Sequence, residues 1–339
     1  MLVRFTDAMK RRPSESVEDL LLRALQKAER PVGSDREALQ TSFCANAPDQ
    51  FSCAINNLFG LNIAWDVNLR PLEAFLAHQF QSQPLATCTH TVVDFNYDLI
   101  LDRTAQKVAS HAAPLECLWH PSTGYGFEIG WYVYSGESGG SAEEAQAHPL
   151  ALKPHGNLVI LKPHGSLNWI ACHDENHKGF DPNKPLFLAL KDLTDGGVDY
   201  WHPRSQECLN IVYRGPAGSG QFCAAHGSIF LIPPTPPAKT EKTSPTFLRK
   251  LREAEKAAIK EADEIFVIGW SMPVTDQDQI CTIRHCVAER EKPLESLTVI
   301  NRGERPEYFE RVADTFGVTR SALRIFNDGF SDYVEHCTA

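Results

Sequence analysis

Five short apolar runs constrain this chain more than any other feature. Residues 90–94 (HTVVD), 158–161 (LVIL), 229–232 (IFLI), 265–268 (IFVI) and 297–300 (LTVI) are rich in β-branched side chains and do not alternate with polar ones. A strand with one wet face alternates, whereas a strand covered on both faces does not, so these runs predict strands packed between helices, as in a parallel sheet. A charged amphipathic pattern over 247–262 precedes the fourth run, and a second over 307–316 follows the fifth. Strand–helix alternation of this kind predicts an open α/β sheet with helices on both faces.

The chain ahead of the first run reads differently. Residues 1–88 are mainly helical in pattern: a cap near Ser14 and Ser16 leads into Leu20, Leu21, Leu22 and Leu25, and Pro31 and Gly33 end that helix. A second helix begins near Pro71 and carries Leu72, Phe75, Leu76 and Phe80; proline suits a first helical turn, where its missing N–H costs nothing. The core then spans 89–335. Within it, residues 121–156, rich in Gly, Ser, Trp and Tyr, and 173–228, rich in His, Pro, Gly and Asp, read as insertions or lids. The aromatic cluster Trp131-Tyr132-Val133-Tyr134 fits core packing or an interface.

Charge narrows the partners. Thirty-three Lys and Arg against 43 Asp and Glu give a net charge of −10, which repels phosphate backbones and predicts no general nucleic-acid binding. The short basic cluster Lys10-Arg11-Arg12 reads as a solvated end. No segment approaches the roughly 20 apolar residues of a membrane span, and the start lacks the apolar core of a secretory signal. A cytoplasmic location is expected, with the ten cysteines reduced. No Cys-x-x-Cys pair occurs; Cys172 beside His173, and Cys281, His285 and Cys286, have looser spacing than structural zinc sites, so no metal is expected and buried thiols are the simpler reading. His173, His177, His202 and His226 are the ligands a metal hydrolase would have to use.

Four of the five runs lead almost directly into unusual polar groups. Phe95-Asn96-Tyr97-Asp98 follows the first, and Lys162-Pro163-His164-Gly165-Ser166-Leu167-Asn168-Trp169 the second. Gly269-Trp270-Ser271-Met272-Pro273 follows the fourth, with Asp276 and Asp278 beyond, and Asn301-Arg302-Gly303 the fifth. In a parallel sheet the carboxyl ends share one rim, where open α/β proteins bind ligands. Asn96, His164, Ser271 and Asn301 are therefore expected to converge, although helix caps and turns also place Asn and Asp at strand ends.

The succession Asn96-Tyr97-Asp98, His164-Gly165-Ser166-Leu167-Asn168-Trp169, Pro233-Pro234-Thr235, Gly269-Trp270-Ser271-x-Pro273 and Ile300-Asn301 resembles the sirtuin-like domains of bacterial antiviral defence proteins, over about residues 89–335. The His-Gly-Ser-Leu-Asn-Trp block is its most specific part. The resemblance implies a Rossmann-like, NAD-binding fold and, in the defence branch, an NAD glycohydrolase that releases nicotinamide and ADP-ribose. It implies that Asn96 holds the water or the nicotinamide ribose and that His164 contacts ribose hydroxyls as general base. It also implies that Asp98 orients the loop behind Asn96, that Gly269 and Ser271 line the phosphate and ribose path, and that Asn301 meets the adenosine ribose. A partner defence protein or a second copy of the chain is the implied macromolecular partner. The residue types suit the chemistry. Nicotinamide leaves as a neutral molecule, so positioning matters more than nucleophilic force, and an imidazole titrates near cellular pH.

Two departures bear on these expectations. The paired Cys-x-x-Cys zinc module of sirtuins is missing, which points away from acylated peptides and toward water as acceptor. The Gly-Ala-Gly-x-Ser type of loop that cradles pyrophosphate at a helix start is also missing, since the first glycines are Gly33 and Gly60. Three readings stay open: a chain recorded from downstream of its first strand, a sheet completed by another chain, or a catalytically degenerate NAD- or ADP-ribose-binding module or scaffold.

Overall fold

The computed structural model describes residues 69–82, 89–111, 119–129, 131–134, 146–149, 152, 156–172, 186–189, 227–232, 246–273 and 276–338. The helix expected near residues 16–29, and most of 173–228, lie outside them. The described elements are α1 (Arg70–Ser82), β1 (His90–Val93), α2 (Ile100–His111), β2 (Trp131–Tyr134), β3 (Gln146–Pro149), β4 (Leu158–Leu161), β5 (Gly165–Cys172), β6 (Leu186–Ala189), β7 (Gly227–Leu231), α3 (Thr246–Glu261), β8 (Glu264–Ile268), α4 (Gln277–Ala288), β9 (Ser296–Ile300), α5 (Pro306–Thr315), β10 (Leu323–Phe326) and α6 (Phe330–Thr338).

The fold is mixed α/β with small parallel sheets. Strands β1 and β4 pair in parallel, His90 against Leu158 through Val93 against Leu161. Strands β8, β9 and β10 form a second parallel sheet in the order β10-β9-β8. All five residues of central β9 are buried, as a strand covered on both faces requires. Among the described residues no strand pairing joins the two parallel sheets. A side chain of α1 joins them instead: Phe75 packs against the core that Val92 and Val93 of β1 also line and, edge to face, on Phe266 (6.0 Å) and Phe330 (5.3 Å) in another.

Two expectations are corrected. The run at 229–232 is not a parallel strand: it belongs largely to β7, which pairs antiparallel with β5 in a five-stranded sheet ordered β3-β2-β6-β5-β7. An apolar run reports burial, not direction, and the partner strand β5 carries Ser166 and Asn168, so it lacks the apolar pattern that marks a buried strand. Residues 121–129, read as part of an insertion or lid outside the core, pack into the core: Tyr125, Phe127 and Ile129 are buried, and Trp169 of β5 meets Tyr125 and Phe127 edge to face at 5.1 and 5.3 Å. Three large side chains outweigh the Gly and Ser that make this segment look like a lid.

Helix α3 shows how patterning sets orientation. Phe247, Leu251, Glu255 and Ile259 recur every four residues and are all buried, while Arg249, Lys250, Glu253 and Lys256 face solvent. Glu255 is the anomaly in that stripe: neither carboxylate oxygen has a hydrogen-bond partner. Burial pushes its pKa from 4.5 up to about 7, against the pull of Arg252 and Lys256. Among the described residues no helix is long and apolar enough to cross a membrane.

Two expected outcomes come from this packing. Between pH 4.5 and about 7 folded Glu255 binds the proton that the unfolded chain has released, so stability falls as pH rises through that window, by on the order of 3 kcal/mol from this group. Denaturant melts of Glu255→Gln between pH 5 and 8 are expected to lose that fall. Lys162, wholly buried against Asp94 and Asp102, is expected to cost about 3–5 kcal/mol when replaced by Met, because unpaired carboxylates remain in the core; the same melts read it.

Candidate functional site

The site is built where β1 and β4 end side by side. The ladder continues one residue beyond β1, with Asp94 N–H donating to the Leu161 carbonyl at 2.8 Å. The Asp94 carboxylate then divides its bonds: Oδ1 accepts the Asn96 backbone N–H at 3.0 Å and Oδ2 accepts Lys162 Nζ at 3.0 Å. Lys162 also donates to the Asp98 carbonyl and to Asp102 Oδ2. Asp102 Oδ1 accepts the Tyr125 hydroxyl at 2.6 Å, Asn168 Nδ2 donates to Tyr125 at 3.3 Å, and Ser166 donates to Asn168 Oδ1 at 2.7 Å. One ammonium thus binds the loop bearing Asn96 to the strand leading to His164. The carboxylates hold the Lys162 proton more tightly than usual despite burial, while burial raises Asp98 and Asp102 against the pull of Lys162.

His164 sits in the turn after β4. Gly165 closes that turn with φ +88° and donates its N–H to the Lys162 carbonyl at 3.0 Å; a left-handed backbone of this kind favours glycine. The Phe95 and Tyr97 rings flank the imidazole, with centroids 5.6 and 6.3 Å away. Tyr97 is itself fixed, its hydroxyl donating to the Ile232 carbonyl at 2.7 Å. Burial pushes the imidazole below its ordinary pKa, opposed by Asp276, by a hydrogen bond to the Phe95 backbone and by Asp94; Arg252 acts with burial.

The loop after β8 closes on the same place. Trp270 lies against Phe95, with centroids 5.0 Å apart and planes inclined by 30°, and its Nε1–H donates to Asp276 Oδ2 at 2.8 Å. The other oxygen of Asp276 is 3.8 Å from His164 Nε2. Gly269 has φ +64°, and among the described residues an added Cβ would meet nothing within 4 Å. Ser271 is exposed, and its carbonyl and that of Met272 accept from Arg311. Met272 takes the left-handed backbone (φ +53°) with its side chain buried. Asn301 Oδ1 accepts the backbone N–H of Arg302 at 2.8 Å, and the Tyr308 hydroxyl donates to the Trp270 carbonyl at 2.6 Å.

Asn96, His164, Gly269, Ser271 and Asn301 thus lie at the carboxyl ends of parallel strands, and Phe95 and Trp270 join the two groups of loops. Asn96 is exposed. Asp98 acts locally, its Oδ1 accepting the Ile100 N–H at 3.0 Å and so capping α2. Sequence reasoning missed Lys162, Asp102, Tyr125 and the ring pair Phe95–Trp270, and noted Asp276 without a role. The signal for the first was present: Asp94, Asp98 and Asp102 recur every four residues, and a lysine precedes Pro163-His164.

Among the described residues no three His, Cys, Asp or Glu are placed to hold a metal ion. Cys281 is exposed and Cys286 buried, and His285 pairs with Glu289 at 3.1 Å. His173, His177, His202 and His226 lie outside the described residues. No protein-family model matches the chain, and no curated protein matches it.

Replacing Asp98 by Ala is expected to lower stability by about 1 kcal/mol through the lost cap, and by Asn much less; thermal melts of the two variants test this.

Proposed function

We propose that the chain is a sirtuin-like, NAD-binding protein that hydrolyses NAD to nicotinamide and ADP-ribose, in a role of antiviral defence. In this reading the two parallel sheets are parts of one Rossmann-like sheet, and their shared rim takes the dinucleotide. The observation that carries it is the adjacency of the Asn96 loop and His164, tied by the bonds of Asp94 and Lys162 and flanked by Phe95 and Tyr97.

The residues suit the reaction in the following way. As the bond from ribose C1′ to nicotinamide nitrogen breaks, the electron pair leaves with neutral nicotinamide and positive charge develops on the ribose. Water then bonds to C1′ and loses a proton. The Asn96 amide can donate and accept at once and so orient that water without a change of charge. His164, kept neutral at cellular pH by burial, can accept the proton from water or a ribose hydroxyl. The Phe95 and Trp270 rings offer a planar apolar wall that excludes other water, and the open face of Gly269 lets a phosphate approach backbone. Ser271 and Asn301 would meet ribose hydroxyls further along the rim.

A second reading is favoured by the missing glycine-rich loop: a module that holds NAD or ADP-ribose without cleaving it. Incubation with NAD and measurement of nicotinamide separates the two. Under the first reading, His164→Ala and Asn96→Ala each lower nicotinamide release by about 10²–10⁴-fold with melting temperatures near that of the parent. Saturable binding by calorimetry without product supports the second, and absence of binding removes both.

A further inference from the structure

We propose that Asp276 is the positioning residue of His164: it presents Oδ1 to the imidazole Nε2 at 3.8 Å while Oδ2 is held by the Trp270 indole at 2.8 Å. This deepens the reading above and rests on it only for its catalytic consequence.

The sequence places Asp276 at the N-cap of α4, where an Asp ordinarily accepts a hydrogen bond from the exposed N–H groups of the first turn. Here the side chain makes no such bond. It is turned instead toward Trp270 and His164, and it is 7 % exposed. A buried carboxylate that gives up its cap needs another partner. The indole satisfies one oxygen, and the other lies 3.8 Å from the imidazole Nε2. Trp270 is in turn fixed by its ring contact with Phe95 and by Tyr308 on its carbonyl. The carboxylate is therefore set by packing from α5 and from the loop after β1, and not by the helix it starts.

Charged groups on three elements act on His164: Asp94 at the end of β1, Arg252 on α3 and Asp276 at the start of α4. From the loop after β1 the Tyr97 ring also faces it, 6.3 Å away, its hydroxyl engaged by the Ile232 carbonyl. Asp276 and Asp94 favour the imidazolium; Arg252 and burial oppose it. When His164 accepts a proton from water or a ribose hydroxyl, Asp276 faces the new positive charge across the gap and stabilises it.

The test is a titration of the His164 ring by nitrogen-detected NMR on the full chain, assigned with His164→Gln. Asp276→Asn keeps an acceptor for the indole and removes only the charge. Its His164 midpoint is expected to fall by about 1 pH unit, a tenfold loss in proton affinity, and Asp276→Glu is expected to recover most of it. In the parent chain, the Asp276 carboxyl carbon is expected to inflect at the same pH as His164, which needs no variant to fold. An unchanged His164 midpoint in Asp276→Asn, or a carboxyl resonance blind to that midpoint, overturns the proposal. If the parent releases nicotinamide, the acid limb of its rate profile should move with the midpoint; if it does not, the proposed activity fails while the titration still decides the pair.

Discussion

Everything at the candidate site hangs on one buried ammonium. Lys162 is wholly enclosed and bonds Asp94, Asp102 and the Asp98 carbonyl. Taking such a charge out of water costs several kcal/mol unless partners surround it, so the end of β4 that leads into Lys162 and the segment from Asp94 to Asp102 in α2 can adopt only arrangements in which they meet. That requirement brings the loop bearing Asn96 against His164 through the Phe95 and Tyr97 rings. The network then runs through Tyr125 to Asn168 and Ser166, which gives polar residues of β5 a buried role. Charge pairing here secures one arrangement of loops; apolar burial around it supplies the stability.

The aromatic groups do a different job. Phe75 connects the cores beneath the two parallel sheets, and the Phe95–Trp270 contact connects their loops above. Both are ring contacts between elements far apart in sequence, with no strand pairing across the same divide among the described residues. A surface assembled in this manner is precise only as far as its side chains pack. That explains why Trp270 has three separate fixings: the Phe95 ring, the Asp276 carboxylate and the Tyr308 hydroxyl. Asp276 links this packing to His164, so the orientation of the imidazole and the contact between the loops are set together.

Apolar periodicity was enough to place β1, β4, β8 and β9, and helices α1, α3 and α5, within a residue or two, because burial on both faces writes β-branched runs and burial on one face writes a stripe. The same periodicity also led to the rim, since polar groups stand directly after four of those runs. It could not assign direction to the run at 229–232, because a ladder's polarity is decided by the partner strand. It gave 121–129 as lid-like because of its Gly and Ser, and it assigned no element to β5, whose Ser and Asn break the apolar pattern. There a polar side chain is buried only because another, distant in sequence, bonds to it, as Tyr125 does for Asn168.

By itself, then, the sequence determined which segments are buried and where its unusual polar residues fall, since both are local consequences of side-chain chemistry. Only the tertiary structure decided which of those residues act on one another. Asp276 could equally have capped its own helix, as Asp98 does, and nothing within its neighbourhood in the chain says otherwise. It turns toward His164 because Trp270, held from two other elements, occupies one of its oxygens and leaves the other facing the ring. Such a choice depends on distances between segments more than 100 residues apart, and those exist only once the chain has packed.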